Sequence, residues 1–473
     1  MKKILAILAI EVPFLAPQAV YAHSFGKLYS LPVPFWMYLY GGAAAIAVSF
    51  LAIGYLFNKK GQAITYPTFE LSRFGLFSFL ISPRFLAVLK FSSVFLFVFT
   101  IVTGLFGENS SYSNFNMTFF WIVFALGLTY ATALIGNIYS IINPWKIIVE
   151  WYEKLSGSVI KGTIAYPKNL GYWPALFFYF LFIWFELFGQ TTPIKLSVIL
   201  VQYTLLILVG VFTFGKDSWF RYCEFFSVFF RLIGKIAPVE YKSGKLYLRP
   251  PFVGLIKENA EHFSLLLFAL FMLSSTAFDG FKETLPWVRF FWQYVDDFAR
   301  PILGSNAYSI FQTVGLLFSP LVFLVIYLLL IRLAKTVAKS SLSMKDLSLK
   351  FAFSLIPIAF VYNIAHYYTL VFTEGPNIIR LVSDPLGFGW NLFNTADYYN
   401  SFILGANFVW HSQVAFILLG HIVGVYLAHL VALNVFTSHK RALLSQLPTL
   451  ILMVTYTMIG LWILSQPITG GTL

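Results

Sequence analysis

Residues 407–436 read NFVWHSQVAFILLGHIVGVYLAHLVALNVF, thirty positions without a Lys, Arg, Asp or Glu. A helix needs about 20 mainly apolar residues to cross a hydrocarbon core of roughly 30 Å, and this stretch exceeds that. It reads as a transmembrane helix that carries three imidazoles, His411, His421 and His429. The same signature recurs outward along the chain. Apolar runs at 35–57, 85–106, 117–142, 172–189, 196–214, 262–282, 308–331, 351–373, 407–436 and 446–466 predict about ten spans. Of the 473 residues, 59% are hydrophobic and only 11% charged, where a soluble domain carries about 25% charged residues. The expected fold class is therefore all-α, a polytopic transmembrane helix bundle forming one domain over 23–473.

The formal net charge of +13 raises the question of nucleic acid, and the placement of the charges answers it. Of 32 Lys and Arg, 23 fall in five segments that share one side of the proposed topology. Six fall on the other side, two near the amino terminus, and Lys90 within a span. That asymmetry is the positive-inside pattern, which sets orientation rather than a nucleic-acid partner. Residues 1–22 open with Met1-Lys2-Lys3, continue through a short apolar stretch and end Val20-Tyr21-Ala22. This pattern predicts a signal peptide cut after Ala22, with His23 starting the mature chain on the exterior face.

Two segments are more than connectors. Residues 217–236 mix aromatics with Arg221, Arg231 and Lys235, which predicts an amphipathic helix in the inner interface. Residues 375–406, with Ser383-Asp384-Pro385, Gly387, Gly389 and Trp390, predict an ordered cap over the outer face. Another exterior segment, 283–307, carries Asp296 and Asp297.

Chemistry concentrates in the histidines. Ionisable side chains in a span are costly and face the bundle interior with a partner. His366 lies slightly outward of the middle of span eight, and His421 lies close to the middle of span nine. These spans are consecutive and antiparallel, so the two imidazoles are expected at similar depth. His411 lies about 15 Å nearer the exterior and His429 about 12 Å deeper, by the helical rise. Tyr362, Asn363, Tyr367, Gln413 and Tyr426 flank them. One reading is a zinc, copper or haem b site on His366 and His421, with His429 as a third ligand. The plainer reading gives each imidazole a hydrogen bond to a Tyr, a Ser or a carbonyl between packed helices. His23, as a mature amino terminus, would offer amine and imidazole together to copper.

Other polar residues have simpler expectations. Glu186, at the outer end of span four, is expected to reach water, or else to stand in the cavity. Lys90 is expected to snorkel, Asp384 and Asp397 to cap turns, and Asn143-Pro144-Trp145 to end a helix. The single cysteine, Cys223, excludes an internal disulfide and has no CxxC partner. Phosphate-binding loops, nucleophile elbows and dinucleotide fingerprints are absent from the sequence.

Several blocks together resemble a known family: AHSFGKLYSLPVPFWMYLYG, GNIYSIINPWK, YPKNLGYWPALFF, IAHYYTLVF, SDPLGFGWNLFNTA and FVWHSQVAFILLGHIVGVYLAHLVAL. They are similar to bacterial polytopic membrane proteins known as fenitrothion hydrolases, after a membrane-bound enzyme that cleaves an organophosphorus ester. The resemblance runs from about residue 22 to the last span. It implies the bacterial inner membrane and a metal-dependent hydrolase of organophosphate-type esters, with a metal activating water and polarising the phosphoryl oxygen. Three classes thus stand at this point: such a metalloenzyme, a haem- or copper-binding redox or assembly protein, and a transporter of an ion or small solute. Each has the lipid bilayer as its medium and a small molecule or ion as its partner.

Overall fold

The computed structural model describes residues 33–56, 66–436 and 438–466. His23 and residues 1–22 lie outside them. The described chain is an all-α bundle with ten helical segments long and apolar enough to cross a membrane. They are Phe35–Leu56, Pro83–Phe106, Phe115–Ile135, Lys168–Phe188, Pro193–Phe214, Phe263–Lys282, Leu285–Val337, Met344–Ser383, Ala406–Val435 and His439–Ser465, spans one to ten below. The protein is a multi-pass membrane protein. Segment 283–307 is largely helical and forms the first part of span seven, ahead of its long helix Ala307–Val337.

Local signals explain several starts. Ser82, Asn143 and Thr192 each accept a hydrogen bond from the first turn of a helix whose next residue is Pro83, Pro144 or Pro193. A polar cap followed by proline satisfies one orphan donor and places proline where no amide hydrogen is needed. Asn143 therefore both ends the short helix Tyr139–Ile142 and begins the next, Pro144–Ser156.

Span six is the hub. Sixteen of its side chains or backbone positions are buried, from Ser264 to Lys282, and it packs on spans four, seven and eight. In span two, by contrast, only Thr100, Thr103 and Gly104 are buried, which leaves most of that helix to face lipid. Spans eight and nine approach closely through Gly420-His421-Ile422-Val423-Gly424. A Cβ on Gly420 would collide with Val361, and one on Gly424 would meet Ile358 at 2.9 Å. Small residues four apart let membrane helices touch backbone to backbone.

The two ends of the bundle differ. At the basic end, Phe69–Glu70 and the hairpin Val239–Lys242/Lys245–Leu248 form a three-stranded antiparallel sheet. Ser243 and Gly244 both take positive φ in its turn, the backbone that a two-residue hairpin requires. At the opposite end, the loop after span eight is stapled to the connection between spans two and three. The Glu108 amide donates to the Leu386 carbonyl at 2.7 Å, and the Phe115 amide to the Pro385 carbonyl at 3.2 Å. Asp384 accepts from the amides of Phe388 and Gly389, a turn-capping role.

Segment 217–236 is not one continuous helix. It breaks into Lys216–Tyr222 and Phe225–Gly234, because Glu224 caps the second by accepting from the amides of Phe226 and Ser227. Phe225, Phe226, Val228, Phe230, Leu232 and Ile233 are all buried, so this helix packs its apolar face into the protein.

Candidate functional site

The end of span six turns an apolar helix into a charged one within four residues: Asp279-Gly280-Phe281-Lys282. Both charged side chains are buried, Asp279 with 1% and Lys282 with 7% of its surface exposed. Lys282 Nζ lies 3.3 Å from Asp279 Oδ1, as an i, i+3 pair on one helix face. It also pairs with Glu283. The other carboxylate oxygen, Oδ2, accepts from His366 Nε2 at 2.8 Å and from the Tyr367 hydroxyl at 2.7 Å, both in span eight. Glu186, in span four, faces Asp279, Tyr367 and Lys282. It belongs to the cluster while remaining partly exposed.

Among the described residues, three carboxyl groups thus gather around a lysine, an imidazole and a phenol. In a water-poor interior, unbalanced charge is strongly disfavoured and an ionic group persists only with partners. Lys282 offsets part of that acidity, and the hydrogen bond between Asp279 and His366 offers one place where a proton can be held. Tyr130 and Tyr179 lie within the field of Glu186, and Tyr362 within that of Asp279.

The histidines singled out from sequence separate into distinct settings. His366 is held by Asp279 of span six. His421, 2% exposed, donates from Nδ1 to the Ile417 carbonyl of its own helix at 2.8 Å. Its Nε2 is buried without a hydrogen-bond partner among the described residues. His429 lies farther along span nine, fully buried, where Gln446 Nε2 of span ten donates to its Nδ1 at 3.0 Å. The His439 ring lies edge-on to it at 6.3 Å. His411 bonds the Asn407 carbonyl and accepts from Tyr38 of span one. Among the described residues, no three His, Cys, Asp or Glu side chains stand together as a metal-ligand set.

Sequence reasoning missed Asp279, the centre of the cluster, and Lys282, which it counted among exterior charges. The signal was present: an Asp and a Lys three apart in FSLLLFALFMLSSTAFDGFK, where either alone would be costly. Sequence reasoning also missed Glu224, fully buried at the basic end. It accepts from Asn143 and Tyr203 as well as from the helix it caps. Burial holds its carboxyl above the ordinary carboxylate range, against the lowering effect of those hydrogen bonds. Lys90 does not snorkel alone; it pairs with Glu150 at 2.8 Å. Beside Glu224, burial pushes the Cys223 thiol up to about 12, which suppresses the thiolate and its reactivity.

Comparison with known protein families, with curated proteins and with solved structures finds no match to this chain.

Proposed function

We propose that the protein couples movement of a proton or small cation to transport of a solute, with the Asp279–His366–Lys282 cluster as the coupling site. The observation that carries this reading is the convergence, among the described residues, of Glu186, Asp279 and Glu283 near Lys282, beside His366 and Tyr367. Ionisable groups inside a bundle mark ion pathways and proton relays. His366 and Asp279 share one hydrogen bond, so a proton can pass between an imidazole and a carboxylate with little motion. Lys282 holds the pair near charge balance while that proton comes and goes. On our reading of the charge distribution, this end of the bundle faces the exterior side of the membrane, the side of the proton reservoir.

The test is uptake into proteoliposomes from a panel of small solutes, under an imposed proton gradient and separately a sodium gradient. Gradient-driven uptake that His366→Gln lowers at least tenfold supports the reading. Uptake that ignores both gradients overturns it.

A second reading has its own observation. The buried, unpartnered Nε2 of His421 is a lone pair whose tautomer is fixed by the Nδ1 bond to Ile417, the arrangement that prepares an imidazole to bind a metal. It favours a metal-dependent hydrolase of organophosphate-type esters, as the fenitrothion hydrolase resemblance implies, with zinc or copper held there; haem b is the redox variant. Metal-dependent ester cleavage or a visible haem band, lost in His421→Ala and retained in Asp279→Asn, would favour this reading over transport.

A further inference from the structure

The last turns of span seven carry a groove that neither reading uses. Val325, Leu328, Leu329, Arg332, Lys335 and Lys339 line it, around about 720 Å³ of space, and the turn into the next helix closes its end. These positions follow a spacing of three, four and seven, so they share one face of the helix. Along that face the chemistry changes once. The first turns are aliphatic, with Val325 58% and Leu329 56% exposed, as suits contact with acyl chains. The next three are cationic. From Val325 to Lys339 the helical rise is about 21 Å, enough to run from the acyl region past a headgroup.

The cations lack the partners that their neighbours have. Elsewhere at this end, Lys90, Lys216, Lys235 and Arg249 each meet a carboxylate. Arg332, Lys335 and Lys339 form no ion pair with any described residue, and no carboxylate lines the groove. The nearest acid in sequence, Asp346, is occupied at the start of its own helix by Ser343. Lys339 stands at φ 50°, just past the helix end, where glycine is the cheaper residue. A lysine there brings a third charge to the groove at some cost in backbone strain.

We propose that this groove binds the phosphate headgroup of an anionic phospholipid from the leaflet at the basic end, with its acyl chains along Val325, Leu328 and Leu329. Phosphate is the anion that three converging cations match, and basic pockets at the ends of membrane helices hold such headgroups. The aliphatic turns beneath the cations select a lipid over a soluble anion, since a free phosphate gains nothing from them.

The test uses the full chain in detergent, exchanged against defined mixtures of phosphatidylglycerol and phosphatidylcholine, with bound lipid read by native mass spectrometry. Wild type is expected to retain phosphatidylglycerol in preference. Arg332→Gln/Lys335→Gln/Lys339→Gln is expected to lose that affinity by roughly a hundredfold, at about fivefold per charge. Lys154→Gln/Lys161→Gln, exposed at the same end, is the control for diffuse charge and is expected to bind as wild type. Lys339→Gly removes one charge while relaxing the backbone; it is expected to fold at least as well and to bind about fivefold more weakly, which decides the matter if the triple variant does not fold. Equal retention in the groove variants, or equal loss in the control, overturns the proposal. Inorganic phosphate that displaces the lipid one for one would identify a soluble anion as the ligand and overturn it too.

Discussion

The charges at the basic end and the charges under the opposite end obey different rules. Around the hairpin and its neighbours, Arg221 pairs with Glu261, Lys257 with Glu240 and Lys245 with Glu70, all with substantial exposure. Water already stabilises such groups, and their pairing adds little. At the far end of span six, Asp279 and Lys282 are withdrawn from solvent on the most enclosed helix of the bundle. There each charge depends on its partners. The first set trims loops against one another, whereas the second keeps polar chemistry inside a hydrophobic protein. That contrast separates charges that water stabilises from charges that depend on partners inside the bundle.

The contrast breaks most sharply at Asp279. Asp279→Leu removes one of the carboxylates paired with Lys282 and the oxygen that accepts from His366 and Tyr367, and is expected to destabilise by about 3–5 kcal/mol. Thermal unfolding in detergent reads it, and a loss under about 1 kcal/mol would show that the cluster is well hydrated. Glu224 is the intermediate case, a buried carboxylate with a structural task. Glu224→Ala removes the acceptor for the Phe226 and Ser227 amides and should cost about 1–3 kcal/mol.

Glu224 also sets a pH dependence. Because burial raises its value in the folded state, the folded chain keeps a proton that the unfolded chain has released. This contribution is complete below the ordinary carboxylate value and is lost as pH rises through the raised one. Glu224→Gln should flatten that slope in denaturation curves; an unchanged slope would place its source elsewhere. Smaller still, Arg221→Gln should change stability by no more than about 1 kcal/mol, and a larger loss would promote that pair to the buried class. Cys223 should resist maleimide while the chain is folded and react once it is unfolded, as its raised value requires.

The bundle was legible because a span is a statement about length and hydropathy, and both are local. Span nine, expected at 407–436, is Ala406–Val435, and span one, expected at 35–57, is Phe35–Leu56. The hairpin was legible in principle from Ser243-Gly244 between two alternating runs; it passed unnoticed among the charges of a basic loop. The site was half legible. His366 belongs to it, but its partner comes from span six, 87 positions away, and nothing in the spacing of the histidines encodes that pairing. His421 bonds the Ile417 carbonyl and His429 meets Gln446 of span ten, partners that a count of residues along one helix does not name. Depth follows from counting residues; which neighbour a side chain meets depends on how ten helices pack.

The most direct test of the central claim is charge movement by reconstituted protein on a solid-supported membrane after a pH step, with wild type beside Asp279→Asn. The asparagine keeps the size of the side chain and an acceptor for His366 or Tyr367, so the thermal midpoint should stay within a few degrees. The account expects a transient current in wild type that follows the pH step and falls at least tenfold in the variant. An equal current in both, from equally stable proteins, would contradict it and return the buried cluster to a purely structural role.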